Sequence, residues 1–279
     1  MKPAALVVAL LVVCAAAGAA PRPVPAFRHV VVIVLENKAR GAVLGNRAAP
    51  AFNAFARGGA VLSRYRGVAH PSLPNYLALV SGSTHGISSD CTSCVVGGPS
   101  LADALAAKGL TWKTYAEGLP RAGWTGPRSG RYAKKHVPFL YFRSVLSKPG
   151  WRRNVVPLTQ LSPRRLPDFA LVVPDMCHDM HDCSVAVGDA WLRRFVPPLL
   201  KVEGTAVFVI FDEAYEAGNG VPALALGPLV RPGSRFRAAM SHYGLLRTIE
   251  DGLGLRRLGR SARVGPVTGI WKQGTAPRH

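Results

Sequence analysis

Acidic side chains are scarce in this sequence: 15 Asp and Glu stand against 35 Lys and Arg in 279 residues, a formal net charge of +20. With so few carboxylates available, any that follow an apolar strand pattern carry information. Beyond residue 20 no stretch reaches the ~18 consecutive apolar residues of a membrane-spanning helix, which excludes such a span from the mature chain. Aromatic residues form only 8% of the sequence and are not interleaved with the basic ones, which argues against a nucleic-acid groove. The nucleophile elbow GxSxG is also missing. Its nearest likeness, GSTHG at 82–86, has Thr84 at the centre and speaks against a metal-free serine hydrolase. No repeat and no linker divides the chain.

What is present begins with a leader. Lys2, an apolar run from Ala4 to Ala17 and the small residues Ala17-Gly18-Ala19-Ala20 read as a secretory signal peptide over 1–20. A lipoprotein anchor at Cys14 is the weaker reading, because Val13 stands where a small residue is wanted. The expectation is an extracellular protein of one domain, 21–279. Losing Lys2 leaves 34 basic against 15 acidic residues, a formal charge of +19. Such a surplus attracts phosphorylated substrates or lipid head groups at an anionic membrane. A coding bias toward scattered surface Arg explains it slightly better. A non-catalytic, basic anion-binding protein is the reading that needs nothing else. Four cysteines survive the leader, and an oxidising compartment favours disulfides; the local pairs Cys91–Cys94 and Cys177–Cys183 are expected. A zinc site built from Cys91, Cys94, Cys177 and His178 or Cys183 is the minority alternative.

The pattern HVVVIVL (29–35) is β-branched almost throughout, as in a strand buried on both faces of a parallel sheet, and 169–173 and 205–211 share that character. Weaker strand patterns lie at 111–116 and 221–226. Helical patterns fall at 51–57, 73–80, 100–108, 188–200 and 243–253, while 118–165 reads as a long irregular excursion. Strands alternating with helices predict an α/β fold: an α/β/α sandwich with a mostly parallel sheet. Ligands in such sheets bind beyond the carboxyl ends of the strands.

The chemically useful residues cluster at that edge. Asp212-Glu213 and Glu36-Asn37 each follow a buried strand; helix caps or ion pairs explain either alone, but together hard oxygen donors point to Mg²⁺, Ca²⁺ or Mn²⁺. His178, Asp179, His181 and Asp182 concentrate imidazoles and carboxylates suited to a metal such as Zn²⁺ or to proton transfer. Ser72, in HPSLPN (70–75), is either an N-cap or a nucleophile where amides and the helix dipole favour phosphoryl oxygens, with Asn75 as an added donor. His242 alone reads as a cap or surface residue. Lys134-Lys135-His136 reads as a solvated charge run before it reads as a phosphate clamp.

The segments VVVIVLENK, HPSLPNYLALVSG, DMHD, GDAWL, FDE and SHYGLLRTIED resemble, in the same order and across residues 28–253, the bacterial phosphoesterase family of acid phosphatases and phospholipases C. The likeness is strongest to small secreted actinobacterial acid phosphatases, some described as phosphatidylinositol 3-phosphate phosphatases. It implies an alkaline-phosphatase-like core and phosphoric ester hydrolysis through a phosphoserine at Ser72. It further implies a divalent metal on Glu36, Asn37, Asp212 and Glu213, with Asp179 and His181 in a cluster binding metal or phosphate. His70, Asn75 and His242 would contact the transferring group, Lys135 and His136 match a family Lys-His pair, and His181 or His242 would protonate the leaving group. The chain departs from the pattern at His178, where Asn is usual, and at Ala214-Tyr215, where another acid often stands. A phosphate monoester is the expected substrate, with phospholipase C-like diester cleavage as the rival.

Overall fold

The run His29–Leu35 forms the central strand β1, and residues 30–35 are fully buried, as expected where both faces of a sheet are covered. The computed structural model describes residues 23–272, so the leader at 1–20 lies outside the described residues. After β1 come β2 (Ala60–Arg66), β3 (Trp112–Ala116), a small hairpin of β4 (Arg128–Ser129) and β5 (Tyr132–Ala133), and β6 (Val155–Pro157). The chain continues with β7 (Phe169–Val173), β8 (Thr205–Phe211), β9 (Ala223–Leu226) and β10 (Ser234–Ser241). Helices are α1 (Arg40–Val43), α2 (Pro50–Gly58), α3 (Ser72–Ser81), α4 (Leu101–Ala107), α5 (Arg143–Leu146), α6 (Pro149–Arg152), α7 (Val185–Leu199) and α8 (His242–Leu253).

Eight strands make one sheet in the order β10-β2-β9-β8-β1-β7-β3-β6. All its pairings are parallel except those of β9, which runs against β2 and β8. Helix α2 packs on α7, and α3 packs on α8 and α4. These two groups cover the central strands and give the α/β/α sandwich, a mostly parallel sheet between helical layers. The strand pattern expected at 221–226 forms β9 over Ala223–Leu226; its antiparallel direction was not expected, because a period-two or apolar pattern carries no direction. Among the described residues no helix is long and apolar enough to cross a membrane.

Two buried carboxylates tie elements together. Asp189 of α7, in the GDAWL segment, accepts the amides of Ala51 (3.0 Å) and Phe52 (2.7 Å). Helix α2 lacks a side-chain cap of its own, so a neighbouring helix supplies acceptors for its first-turn donors. Glu250 of α8 accepts the Leu258 amide (2.8 Å) and the Ser261 hydroxyl (2.6 Å), fixing the turn Gly259–Arg263. Burial pushes its carboxyl up to about 7 despite those two donors. The four cysteines among the described residues form the local disulfides Cys91–Cys94 and Cys177–Cys183, which removes the zinc alternative.

Candidate active site

Four neighbouring strands, β8, β1, β7 and β3, deliver polar groups just past their carboxyl ends: Asp212-Glu213, Glu36-Asn37, the 175–183 loop and Glu117. Ser72 comes from the other side, as the first residue of α3. Its hydroxyl donates to Glu36 Oε2 at 2.9 Å and reaches Glu213 Oε1 at 3.3 Å. Glu36, Ser72, Asp179, Asp212 and Glu213 are all buried. So dense a group of buried acids needs cations or protons.

Protonation behaviour reflects that demand. Burial, reinforced by Asp179, raises the Glu36 carboxyl to about 8. Burial raises Asp179 to about 7, against the opposing pull of the His181 amide. Asp212 is pushed well above the usual carboxylate range by burial and then by Glu36 and Glu213. Three buried oxygens in this group have no hydrogen-bond partner: Asn37 Oδ1, Asp179 Oδ2 and Asp212 Oδ2. Unpartnered carbonyl and carboxylate oxygens among buried acids are the donor set a hard divalent cation takes.

Two basic side chains face the group. His136 lies with Nε2 3.2 Å from Glu36 Oε1 and Nδ1 3.4 Å from Asp179 Oδ2, without hydrogen-bond geometry to either. Its ring stacks on Tyr76 at 5.2 Å, and burial together with Lys135 holds its pKa well below the ordinary value. Lys135 donates to Asp90 Oδ2 at 2.9 Å; burial alone would lower its pKa, but Asp90 and then Glu36 raise it, keeping the ammonium charged. The sequence therefore brings both into the site, where a solvated charge run was the plainer expectation.

His70 bonds through Nδ1 to Glu213 Oε2 and stacks on the exposed Tyr215. His181 is half-buried, with Nδ1 on Asp182 Oδ1 at 2.7 Å, and its amide donates to Asp179 Oδ1 at 2.7 Å. One carboxylate thus orients the ring and leaves Nε2 for proton transfer.

Two residues expected to contact the transferring group bond to protein groups in the structure. Asn75 uses its whole amide on the 68–71 loop: Oδ1 accepts from Val68 (2.8 Å) and Ala69 (3.1 Å), and Nδ2 donates to the carbonyls of Ala69 and Pro71. No donor remains for a phosphoryl group, so Asn75 braces the loop that presents Ser72. His242 is buried with Nδ1 on the Tyr65 hydroxyl (2.8 Å) and Nε2 on the Asp212 carbonyl (2.7 Å). Burial drops it to about 4, and a neutral ring with both nitrogens engaged holds the β8 end rather than donating protons. At the start of α3 the Leu73 amide donates to Asp90 Oδ1 at 2.9 Å.

His178 leaves the group altogether. It bonds to Glu117 Oε2 at 3.0 Å, and with Asp175 the three offer ligand-type atoms within 4.8 Å of one another. Besides Glu117, Tyr76 and Asp90 were not singled out from the sequence. Tyr76, one helical turn after Ser72, donates to Glu36 Oε1 at 2.6 Å, and Asp90 positions both Lys135 and Leu73. The spacing of four could have revealed Tyr76; nothing local marks Asp90.

A model of the Phosphoesterase family matches residues 42–256, which includes Ser72, Asp179 and Asp212 and begins after Glu36-Asn37. A phosphatidylinositol-3-phosphatase of Mycobacterium tuberculosis is 37% identical over 261 residues, 91% of this chain and 86% of that protein. A phosphate-repressible acid phosphatase of Penicillium chrysogenum is 32% identical over 225 residues, and the match spans 74% of this chain but 55% of the fungal protein. A solved structure described as a protein in the alkaline phosphatase superfamily, from Vibrio parahaemolyticus, superposes with a TM-score of 0.58 at 13% identity, covering 88% of this chain and 72% of that one. At that identity the likeness concerns the fold.

Proposed function

This chain belongs to the Phosphoesterase family, and on that premise we propose that it is a secreted, metal-dependent phosphomonoesterase with Ser72 as nucleophile. The observation that carries the reading is the Ser72 hydroxyl held between Glu36 and Glu213 beside unpartnered buried oxygens. Asn37, Asp212, Glu36 and Glu213 would hold the divalent ion, with Asp179 as a further oxygen donor. The identity of the ion is left open by a set composed wholly of oxygens. When bound, such an ion supplies positive charge beside the nucleophile and the phosphoryl oxygens.

The chain's own residues do the rest. A carboxylate, Glu36 or Glu213, takes the Ser72 proton as Oγ attacks phosphorus. The bond from phosphorus to the alcohol oxygen breaks, and His181 Nε2 gives that oxygen a proton. Lys135 places a fixed cation near the equatorial oxygens, where charge accumulates in phosphoryl transfer. Water then attacks phosphorus as His181 takes its proton, and the bond from phosphorus to Oγ breaks as the carboxylate returns its proton to Ser72. Export is supported by the leader pattern at 1–20 and by the two disulfides.

The decisive experiment compares p-nitrophenyl phosphate with its diester analogue, before and after chelation. Phosphate release from the monoester, lost on chelation and restored by one added divalent cation, is the expected result. Ser72→Ala should lower kcat by at least about 10³-fold with an unchanged far-UV circular dichroism spectrum. Full turnover in that variant, or faster diester cleavage by the wild type, overturns the assignment.

A further inference from the structure

His178 and Asp179 are neighbours in the chain, yet their side chains belong to different groups. Asp179 turns toward the Ser72 acids, with Oδ2 3.4 Å from the His136 ring. His178 turns to Glu117, just past β3, and to Asp175, just past β7. Its Nδ1 lies 3.0 Å from Glu117 Oε2 and 3.6 Å from Asp175 Oδ1. Each of the three residues offers a ligand-type atom within 4.8 Å of the others.

Charge is unbalanced at this cluster. Among the described residues no Lys or Arg comes within 4.0 Å of Glu117 or Asp175, whereas Asp90 holds Lys135 and Asp251 holds Arg247. In a chain with 35 basic residues to 15 acidic ones, two carboxylates are left to share a single imidazole. The backbone meanwhile fixes both oxygens in place. Glu117 Oε2 accepts the Asp175 amide at 3.1 Å, and Asp175 Oδ1 accepts the amides of Cys177 and His178, each at 2.9 Å. The Glu117 amide donates to the Val173 carbonyl at 2.9 Å, which anchors that residue to the sheet. The His178 ring lies nearly parallel to Trp191, 6.1 Å away, and the Cys177–Cys183 bridge closes the loop.

We propose that Glu117, Asp175 and His178 bind a divalent transition-type cation such as Zn²⁺, at a site separate from the one at Ser72. One imidazole nitrogen with two carboxylate oxygens is a set that zinc takes, and the nitrogen disfavours Mg²⁺ and Ca²⁺. Tetrahedral zinc with bonds of about 2.1 Å sets its ligands about 3.4 Å apart. The separations of 3.0 and 3.6 Å stand on either side of that value. The ion takes the place of the proton between Nδ1 and Glu117 Oε2, and that proton passes to solvent. All three side chains are partly open to solvent, so water completes the coordination. The bound ion clamps the end of β3 to the loop that carries Asp179 and His181. The inference stands on this cluster alone and does not rest on the phosphomonoesterase reading.

Metal binding tests this without turnover. Chelator-stripped protein is titrated with Zn²⁺ by calorimetry, then desalted and its metal counted by mass spectrometry. The wild type should retain one more zinc per chain than His178→Asn or Glu117→Gln. Each substitution should weaken that zinc at least about tenfold. Both replacements are polar and close in size, and circular dichroism of the stripped proteins checks that they fold alike. A readout on the wild type alone guards against a folding defect in either variant. X-ray absorption at the zinc edge should show an imidazole ligand in the wild type, and His178→Asn should remove it. Equal zinc content and affinity in the wild type and both variants, or a wild-type spectrum without imidazole, overturns the proposal. Loss of chelation-sensitive phosphate release with this zinc still bound would count against the Ser72 centre and leave the second site standing.

Discussion

Asn75 shows how a residue can matter to phosphoryl transfer without touching phosphate. Its amide closes four hydrogen bonds on the loop leading to Ser72. Asn75→Ala leaves the amides of Val68 and Ala69 without their acceptor, a loss of about 2–3 kcal/mol in stability. Because Ser72 would drift from Glu36 and Glu213, kcat should fall at least about tenfold while KM changes little. Urea unfolding with steady-state kinetics checks this, and a rise in KM alone would return Asn75 to a substrate contact. The sequence located Glu36, Asp212 and Glu213 because each follows a strand that has to be buried. It could not show that Asn75 and His242 face protein groups instead of substrate, since side-chain direction in a loop depends on partners distant in the chain. Asp90, in an irregular stretch, has no period to betray it.

Carboxylates that fasten one element to another give sharper tests than the strands do. Asp189→Ala removes both acceptors from the start of α2 and should cost about 2–3 kcal/mol, read by thermal unfolding; Asp189→Asn, which keeps one, should cost less. Glu250 gives a pH signature at the α8 turn. Its folded carboxyl titrates at about 7 against an ordinary 4.5, so the folded state keeps a proton that the unfolded state has lost. Stability should therefore decline as pH rises from about 4.5 to about 7 and level off above, by up to about 3 kcal/mol. Melting curves of the wild type and Glu250→Gln across that range should converge at low pH, and parallel curves would refute the linkage. The same scale explains which strands could be read. β1, β7 and β8 are apolar because helices cover both their faces. β2 and β10 were missed: Arg64 and Arg66 interrupt the first, and β10 is an edge strand with Arg235 and Arg237 in solvent, so neither shows a continuous apolar run.

For the whole molecule, four acids buried in one place would make a cation held there part of the fold as well as of the chemistry. Chelation should lower the melting temperature, and one divalent ion at a hundredfold excess over its dissociation constant should return about 2.7 kcal/mol. Calorimetry of stripped and reloaded protein measures it, and identical melting curves would count against a metal at Glu36 and Asp212. Both disulfides lie in the rim rather than the sheet: one closes the loop whose Thr92 carbonyl holds Lys134, the other the loop bearing Asp179 and His181. Reducing either bridge should therefore loosen the edge that carries Lys134, Asp179 and His181 while leaving the pairings of the sheet untouched. A production host with a reducing cytosol would accordingly yield well-behaved material of poor specific activity, and purity on a gel would say nothing about the fraction able to turn over.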